Sequence, residues 1–249
     1  MSMMVSPYSF AAAGGGGGSD PYFSSVKLLL GFEGANGATS TTDESPSAHS
    51  FTFNGDAQID TAQFKFGASS CLFDTSGDYL SSADSLDWRL AASNSDTYTI
   101  EFWIRPHSNV NGVPIMGQAP GSTNFAWYLD LTITATPSYA ITFNTSANGS
   151  SFSTVGIGPN TLPLDTWHYI AVSKNSSGKI RTWVNGNFGS SITPADSSIF
   201  NSTGAFEIGR SFFTTGLNAW LDEIRITKGV CRYDTDGSIA VPTAAFPRS

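Results

Sequence analysis

The stretch from Trp167 to Gly186 constrains this chain most. Trp167-His168-Tyr169-Ile170-Ala171-Val172-Ser173-Lys174 reads as one strand and Lys179-Ile180-Arg181-Thr182-Trp183-Val184 as the next, joined by the polar turn Asn175-Ser176-Ser177-Gly178. Ile180, Thr182 and Val184 alternate with Lys179, Arg181 and Trp183, the period of two that a strand imposes. Gly178 stands where a hairpin often needs positive φ, and Asn185-Gly186 makes a second tight turn into Asn187-Phe188. A β-meander in a chain with almost no helical periodicity predicts an all-β fold.

The rest of the chain repeats the pattern. Val26 to Phe32 is a near-continuous apolar run, suited to a strand covered on both faces. Further strands are expected at 51–53, 57–60, 70–74, 79–81, 98–105, 113–117, 125–134, 139–144, 152–157, 205–210 and 220–227, and one short helical turn within Ser82 to Ala92. In the clearest of them, Tyr98, Ile100, Phe102 and Ile104 share one face and Thr99, Glu101, Trp103 and Arg105 the other; Pro106 ends it. Strands at this spacing, with 25 glycines and only 13% charged residues, predict one two-sheet antiparallel sandwich over residues 26–249.

Residues 1–25 differ in kind. Met3, Met4, Val5, Tyr8 and Phe10 form an apolar peptide, followed by three alanines and the glycines Gly14 to Gly18. Polyglycine is a flexible linker, so this extended N-terminal arm is expected to be an anchor peptide tethered to the sandwich, the alternative being a disordered tail. The formal charge of −8 and the scattered Lys and Arg argue against nucleic acid and against anionic membranes as partners. No apolar run is long enough to insert in a membrane, and no basic segment followed by an apolar stretch marks a signal peptide. Cys71 and Cys231 form no metal-type cluster; they either bridge an early strand to the C-terminal segment or remain two separate thiols.

The strand motifs, taken in order, resemble the concanavalin A-like jelly rolls of the laminin G-like group. The likeness runs through Phe66-Gly67-Ala68-Ser69-Ser70-Cys71-Leu72-Phe73-Asp74, Gly77-Asp78-Tyr79-Leu80, Tyr98 to Pro106, Thr166 to Val172, Trp183-Val184-Asn185-Gly186, Phe206 to Arg210 and Trp220 to Ile226. The ending Ile226-Thr227-Lys228-Gly229-Val230-Cys231-Arg232-Tyr233 and the opening Asp20-Pro21-Tyr22-Phe23-Ser24-Ser25-Val26 resemble versions found in tailed-bacteriophage structural proteins. Those versions often carry Ala where this chain has Cys231. The resemblance implies two antiparallel sheets, one of them concave, with neighbouring termini. It implies no reaction, since most members bind glycans or proteins or serve as structural modules.

No catalytic constellation stands out. Laminarinase-type hydrolases on this fold carry a Glu-x-Asp-x-x-Glu strand with carboxylates on one face, and no such strand is present. In Leu221-Asp222-Glu223-Ile224 the carboxylates are adjacent; Asp222 shares parity with Ile224 and Ile226 and is expected to point inward, as a ligand contact or as a buried acceptor of backbone N–H groups. Of His49, His107 and His168, the last lies in a strand as a packing residue. Because some laminin G-like domains bind calcium at a loop rim, Asp74 and Asp78 are candidate calcium ligands, against the alternative of an ordinary Asp-Gly turn. Trp103, Trp127, Tyr128 and Trp183 are the candidate glycan-binding rings, against the alternative of core packing.

The expectation is a non-enzymatic phage virion protein: a capsid decoration, fibre or tail adhesin assembled in the host cytoplasm. Its arm would join it to other virion proteins, its sandwich would meet host-surface or environmental glycans, and homo-oligomers are expected from viral symmetry. The alternatives are a free carbohydrate-binding module or secreted lectin, and a glycoside hydrolase with an unrecognised site.

Overall fold

The computed structural model describes residues 18–74, 77–107, 112–135, 138–157, 162–211 and 214–249. The strands are β1 (Val26–Leu30), β2 (Thr52–Asn54), β3 (Gln58–Asp60), β4 (Ser70–Phe73), β5 (Tyr79–Ser82), β6 (Tyr98–Pro106), β7 (Val113–Gln118), β8 (Trp127–Ala135) and β9 (Ser138–Thr145). They continue as β10 (Ser153–Ile157), β11 (His168–Lys174), β12 (Ile180–Val184), β13 (Asn187–Ile192), β14 (Phe206–Ile208), β15 (Arg210–Ser211), β16 (Thr214–Thr215) and β17 (Ala219–Lys228). The opening meander is β11, β12 and β13, with Gly178 at φ 85° and Asn185-Gly186 both at positive φ. Helix among the described residues is confined to a single 3-10 turn at Phe23–Ser25. The helical turn expected within Ser82 to Ala92 is replaced by turns and irregular backbone. Here the Trp88 ring stacks on Phe206 at 4.5 Å and its indole N–H donates back to the Ala83 carbonyl at 2.9 Å.

Two antiparallel sheets face each other. The first runs β13-β12-β11-β6-β17-β4-β3, with β1 also on β17; the second runs β10-β9-β8-β7-β14-β5-β2. One edge of β17 is shared: Ala219–Leu221 pair with β4, and Ile224–Thr227 pair with β1. Between them the register against β6 shifts at Asp222/Arg225, and Glu223 takes φ 49°. This bulge adds one residue and so reverses parity. Leu221 on one side of it and Ile224 and Ile226 on the other all enter the core. Asp222, expected to point inward with Ile224, therefore falls opposite Trp103 on the outer face of the first sheet. The inner faces supply one apolar core that includes Leu28, Leu30, Phe73, Ile100, Phe102, Leu129, Phe143 and Ile170.

The two outer faces differ. The face of the first sheet is roofed by the chain ends: Val26, Leu29, Trp103, Tyr169, Ala171, Trp183 and Phe246 form a second buried cluster, with Phe23, Tyr233, Ile239 and Val241 packed on it. Beneath this roof lies an ion-pair network. Arg225 donates to Glu101 at 2.7 Å and to Asp20 at 3.2 Å, Arg232 donates to Asp20 at 2.6 Å, and the Tyr169 and Tyr233 hydroxyls donate to Glu101 at 2.6 and 2.8 Å. Burial opposes ionisation of Asp20 and Glu101, but the two guanidiniums hold both carboxyls below their ordinary range. The Asp20 amide reaches the Ser249 carbonyl at 2.7 Å, so the ends of the sandwich are neighbours. The anchor residues Met3, Met4, Val5, Tyr8 and Phe10 lie outside the described residues.

Candidate functional site

Three of the four candidate glycan-binding rings are interior. Trp127 and Trp183 are fully buried and Trp103 nearly so. Trp127 is in the core and donates to the Trp88 carbonyl at 2.7 Å, whereas Trp103 and Trp183 lie under the terminal roof, Trp183 donating to the Gly237 carbonyl at 2.9 Å. None of these indoles presents a face to a ligand. Tyr128 also is largely covered, but it belongs to a small cluster with Ala119 and Phe125 outside the main core, on the outer face of the second sheet.

Among the described residues no chain end roofs that face, and several of its outward positions are polar. Across β10, β9 and β8, Thr154 pairs with Asn144 and Asn144 with Tyr128; one step along, Thr142 pairs with Asp130. The side chains form a hydrogen-bonded ladder: Thr154 Oγ1 donates to Asn144 Oδ1 at 2.6 Å, Asn144 Nδ2 donates to Thr142 Oγ1 at 3.2 Å, and the Thr142 hydroxyl donates to Asp130. Partial burial raises the Asp130 carboxyl against these donors. Farther across the sheet, Glu207 pairs with Arg210, whose guanidinium lies 3.6 Å from the centroid of Tyr79. Pro120, Glu207, Arg210 and Ser211 line a cleft of about 290 Å³ there. Gly117 on β7 makes the close packing possible, because a Cβ there would collide with the backbone of Trp127 and Tyr128. At the rim, Phe152 is 49% exposed and stands against the buried rings of Phe125 and Tyr128 at 5.5 and 6.2 Å.

The other candidates resolve individually. Asp78 is fully buried and accepts the Asp56 amide at 2.7 Å and the Asp74 amide at 3.0 Å, the work of a turn carboxylate. Burial, then the neighbouring Asp78 and Asp56, push the Asp74 carboxyl up. Among the described residues no group of three or more His, Cys, Asp and Glu is placed to hold a metal ion. Asp222 Oδ2 accepts the Lys65 and Phe66 amides at 2.7 and 3.1 Å, as expected of a buried backbone acceptor. Among the described residues its Oδ1 and the Trp103 indole N–H have no partner. His168 is buried between the Pro163 carbonyl and Asn185, and burial lowers its pKa.

The two cysteines are free, which overturns the bridge. Cys71 lies beside Leu221 near the start of β17, and Cys231 follows the far end of that strand, close to Ser173. A ten-residue strand of roughly 3.3 Å per residue holds them apart. At the end of the sandwich opposite the Phe152 rim, Asp165, at φ 55°, binds Arg105 and His107 at 2.5 and 2.8 Å. Those two side chains cover Trp220, whose N–H is bound to Asp60 at 2.6 Å.

The ladder, Phe152 and the terminal network were not singled out in the sequence. The polar alternation Asp130, Thr142, Asn144 and Thr154 on strands with apolar inner faces was the available signal for the ladder. Nothing local marks Phe152.

The family model described as the concanavalin A-like lectin/glucanases superfamily, laminin G type, matches residues 74–232. No curated protein matches the chain. Among solved structures, the binding domain of botulinum neurotoxin DC in complex with SialylT superposes with a TM-score of 0.60 at 14% identity, covering 88% of this chain and 50% of that one. The binding domain of Paraclostridial Mosquitocidal Protein 1 gives 0.63 at 13% identity, covering 83% and 49%. A structure of botulinum neurotoxin type C, whose cell entry is dependent upon interaction with two ganglioside molecules, gives 0.60 at 14% identity, covering 88% and 49%. The chain thus spans about half the length of these structures, and at such identities the likeness is one of fold.

Proposed function

The chain belongs to the concanavalin A-like lectin/glucanase superfamily, and from that premise we propose that it is a non-enzymatic glycan-binding module that uses the outer face of its second sheet. The contrast between the two outer faces carries this reading. One is sealed by the chain ends over a buried ion-pair network; the other carries a hydrogen-bonded ladder that is exposed at Thr154, half-buried at Thr142 and Asp130 and buried at the Asn144 amide, with the exposed Phe152 ring beside it. Groups of this kind match the hydroxyls and the apolar ring faces of a sugar. The dependence of type C neurotoxin cell entry on interaction with two ganglioside molecules fits the same use of the fold.

Binding is favoured over hydrolysis because each carboxylate on this face is engaged separately, Asp130 by Thr142 and Asn144 and Glu207 by Arg210. Asp222 is sealed beneath the Lys65–Phe66 backbone, away from any glycosidic bond. The test is a glycan array probed with the intact chain, followed by Asn144→Ala and Thr154→Ala. Binding that weakens in these variants supports the reading; retention of full affinity in both, or no glycan bound at all, overturns it.

We further propose that the module is a structural protein of a tailed-phage virion, present in several copies and attached through residues 1–19 to another virion protein. The two segments that carry the phage-type resemblance, around Asp20 and around Arg232, are joined to each other by the buried ion pair. A tether that leaves at Asp20 departs from the roofed side, which leaves the polar face of the second sheet directed away from the attachment. Deleting residues 1–19 is expected to give a folded protein that fails to join its particle. Normal incorporation of that truncation refutes the attachment.

A further inference from the structure

Only three large apolar side chains among the described residues are exposed, Phe64, Leu86 and Phe152. Phe152 differs from the others in its support. Its ring stands at 65° to Phe125 and at 76° to Tyr128, both largely buried, so its position is fixed before any ligand arrives. The support is itself separate from the main core, which would lose little if Phe152 were absent.

Three loops meet around this ring: residues 119–126, 146–152 and 200–205. The Phe125 amide reaches the Gly149 carbonyl at 3.2 Å, the Phe200 amide reaches the Ser146 carbonyl at 2.7 Å, and Asn124 Nδ2 donates to Thr203 Oγ1 at 3.0 Å. None of the three contains Asp, Glu, Lys, Arg or His. Asn148 fixes its own loop, accepting the Ser150 and Ser151 amides at 3.0 and 2.9 Å and their hydroxyls at 3.3 and 3.1 Å, which holds two exposed serine oxygens in place beside the ring. The three loops thus offer a rigid aromatic face, hydroxyls and amides and no charged side chain of their own; the charges that border them are already engaged, Asp84 by the Gln118 amide that also holds the Gly204 carbonyl, and Glu207 by Arg210.

We propose that Phe152 is the stacking platform of a subsite for an uncharged sugar ring, at the end of the polar ladder nearest Thr154. The proposal deepens the glycan-binding reading and rests on it. Loops without a cation give an acidic sugar no counter-charge, and the bordering carboxylates Asp84 and Glu207 are already engaged by Gln118 and Arg210, so charge complementarity selects a neutral hexose or N-acetylhexosamine. The C–H face of the sugar covers the Phe152 ring, and its hydroxyls exchange hydrogen bonds with the loop hydroxyls. Pre-fixing the ring removes an ordering cost that a mobile side chain would carry.

The experiment uses the intact chain, an array holding neutral and sialylated glycans, and calorimetric titration of the best neutral oligosaccharide. Phe152→Ala is expected to weaken binding at least about tenfold and to leave the melting temperature unchanged. Phe152→Trp keeps the affinity, and Leu86→Ala, also an exposed apolar truncation, has no effect. Undiminished binding by Phe152→Ala overturns the subsite while leaving the general reading in place. Exclusive binding of sialylated glycans overturns the neutral class, and a wild-type chain that binds no glycan overturns both.

Discussion

Burial of Asp222 is expected to make the stability of this fold fall as pH rises from about 4 to about 7. Its side chain is fully buried on the outer face of the first sheet, with Oδ2 on the Lys65 and Phe66 amides and Oδ1 unpartnered. Desolvation, and then Glu223, raise its carboxyl from 3.8 to about 7 against the pull of the two amides. Below pH 3.8 the group is protonated in the folded and unfolded chains alike and its contribution is fully present. Between pH 4 and 7 the unfolded chain gives up this proton while the fold retains it, so stability is lost progressively. The separation amounts to at most about 4 kcal/mol, or roughly 8–16 °C in melting temperature for a domain of this size. Asp222→Asn keeps an oxygen for both amides and cannot ionise. The difference in unfolding free energy between variant and wild type, measured in urea from pH 4 to 8, should therefore grow in favour of the variant. Taking the difference cancels other titrating groups, including His168, whose lowered pKa acts in the opposite direction. A difference that stays constant across this range refutes the assignment of a buried, proton-retaining carboxyl at Asp222.

Asp20→Ala leaves the Arg225 and Arg232 guanidiniums buried with Glu101 as their remaining carboxylate, and is expected to cost about 3–5 kcal/mol, whereas deletion of residues 1–19 leaves the unfolding free energy unchanged. Equal losses for the two changes, in parallel urea titrations, would count against the network as the link between the chain ends. Two thiols should titrate in denatured, unreduced protein, and in the native chain Cys231 should react before the fully buried Cys71, whose thiol burial pushes far up; a silent denatured sample would restore the bridge. Chelation should leave the melting temperature unchanged, because the Asp78 carboxylate is occupied by the amides of Asp56 and Asp74. A fall in EDTA that calcium reverses would establish a calcium turn at Asp74 and Asp78 instead.

The way the site was legible, and the way it was not, have one physical origin. Side-chain parity is local, and it assigned Trp103 and Trp183 correctly to the face opposite the apolar positions of β6 and β12. Coverage is not local: whether that face meets water depends on residues 230–249 folding back across it. Asp222 failed for a related reason. Glu223 adopts positive φ without being glycine, so the bulge that reverses parity leaves no mark in composition. A usable signal was nonetheless present in the outward positions themselves. In the first sheet they include Leu29, Trp103, Tyr169, Ala171 and Trp183 beside the ion-paired Glu101 and Arg225, and a face with so many large apolar groups is a covered one. In the second sheet they include Asp130, Thr142, Asn144 and Thr154, with the large Tyr128 ring among them. Large rings clustered at the outward positions of β6, β11 and β12 therefore mark the covered face, whereas the outward residues of β8 to β10 are mainly small, polar and mutually hydrogen-bonded, the pattern on which the proposed glycan face rests.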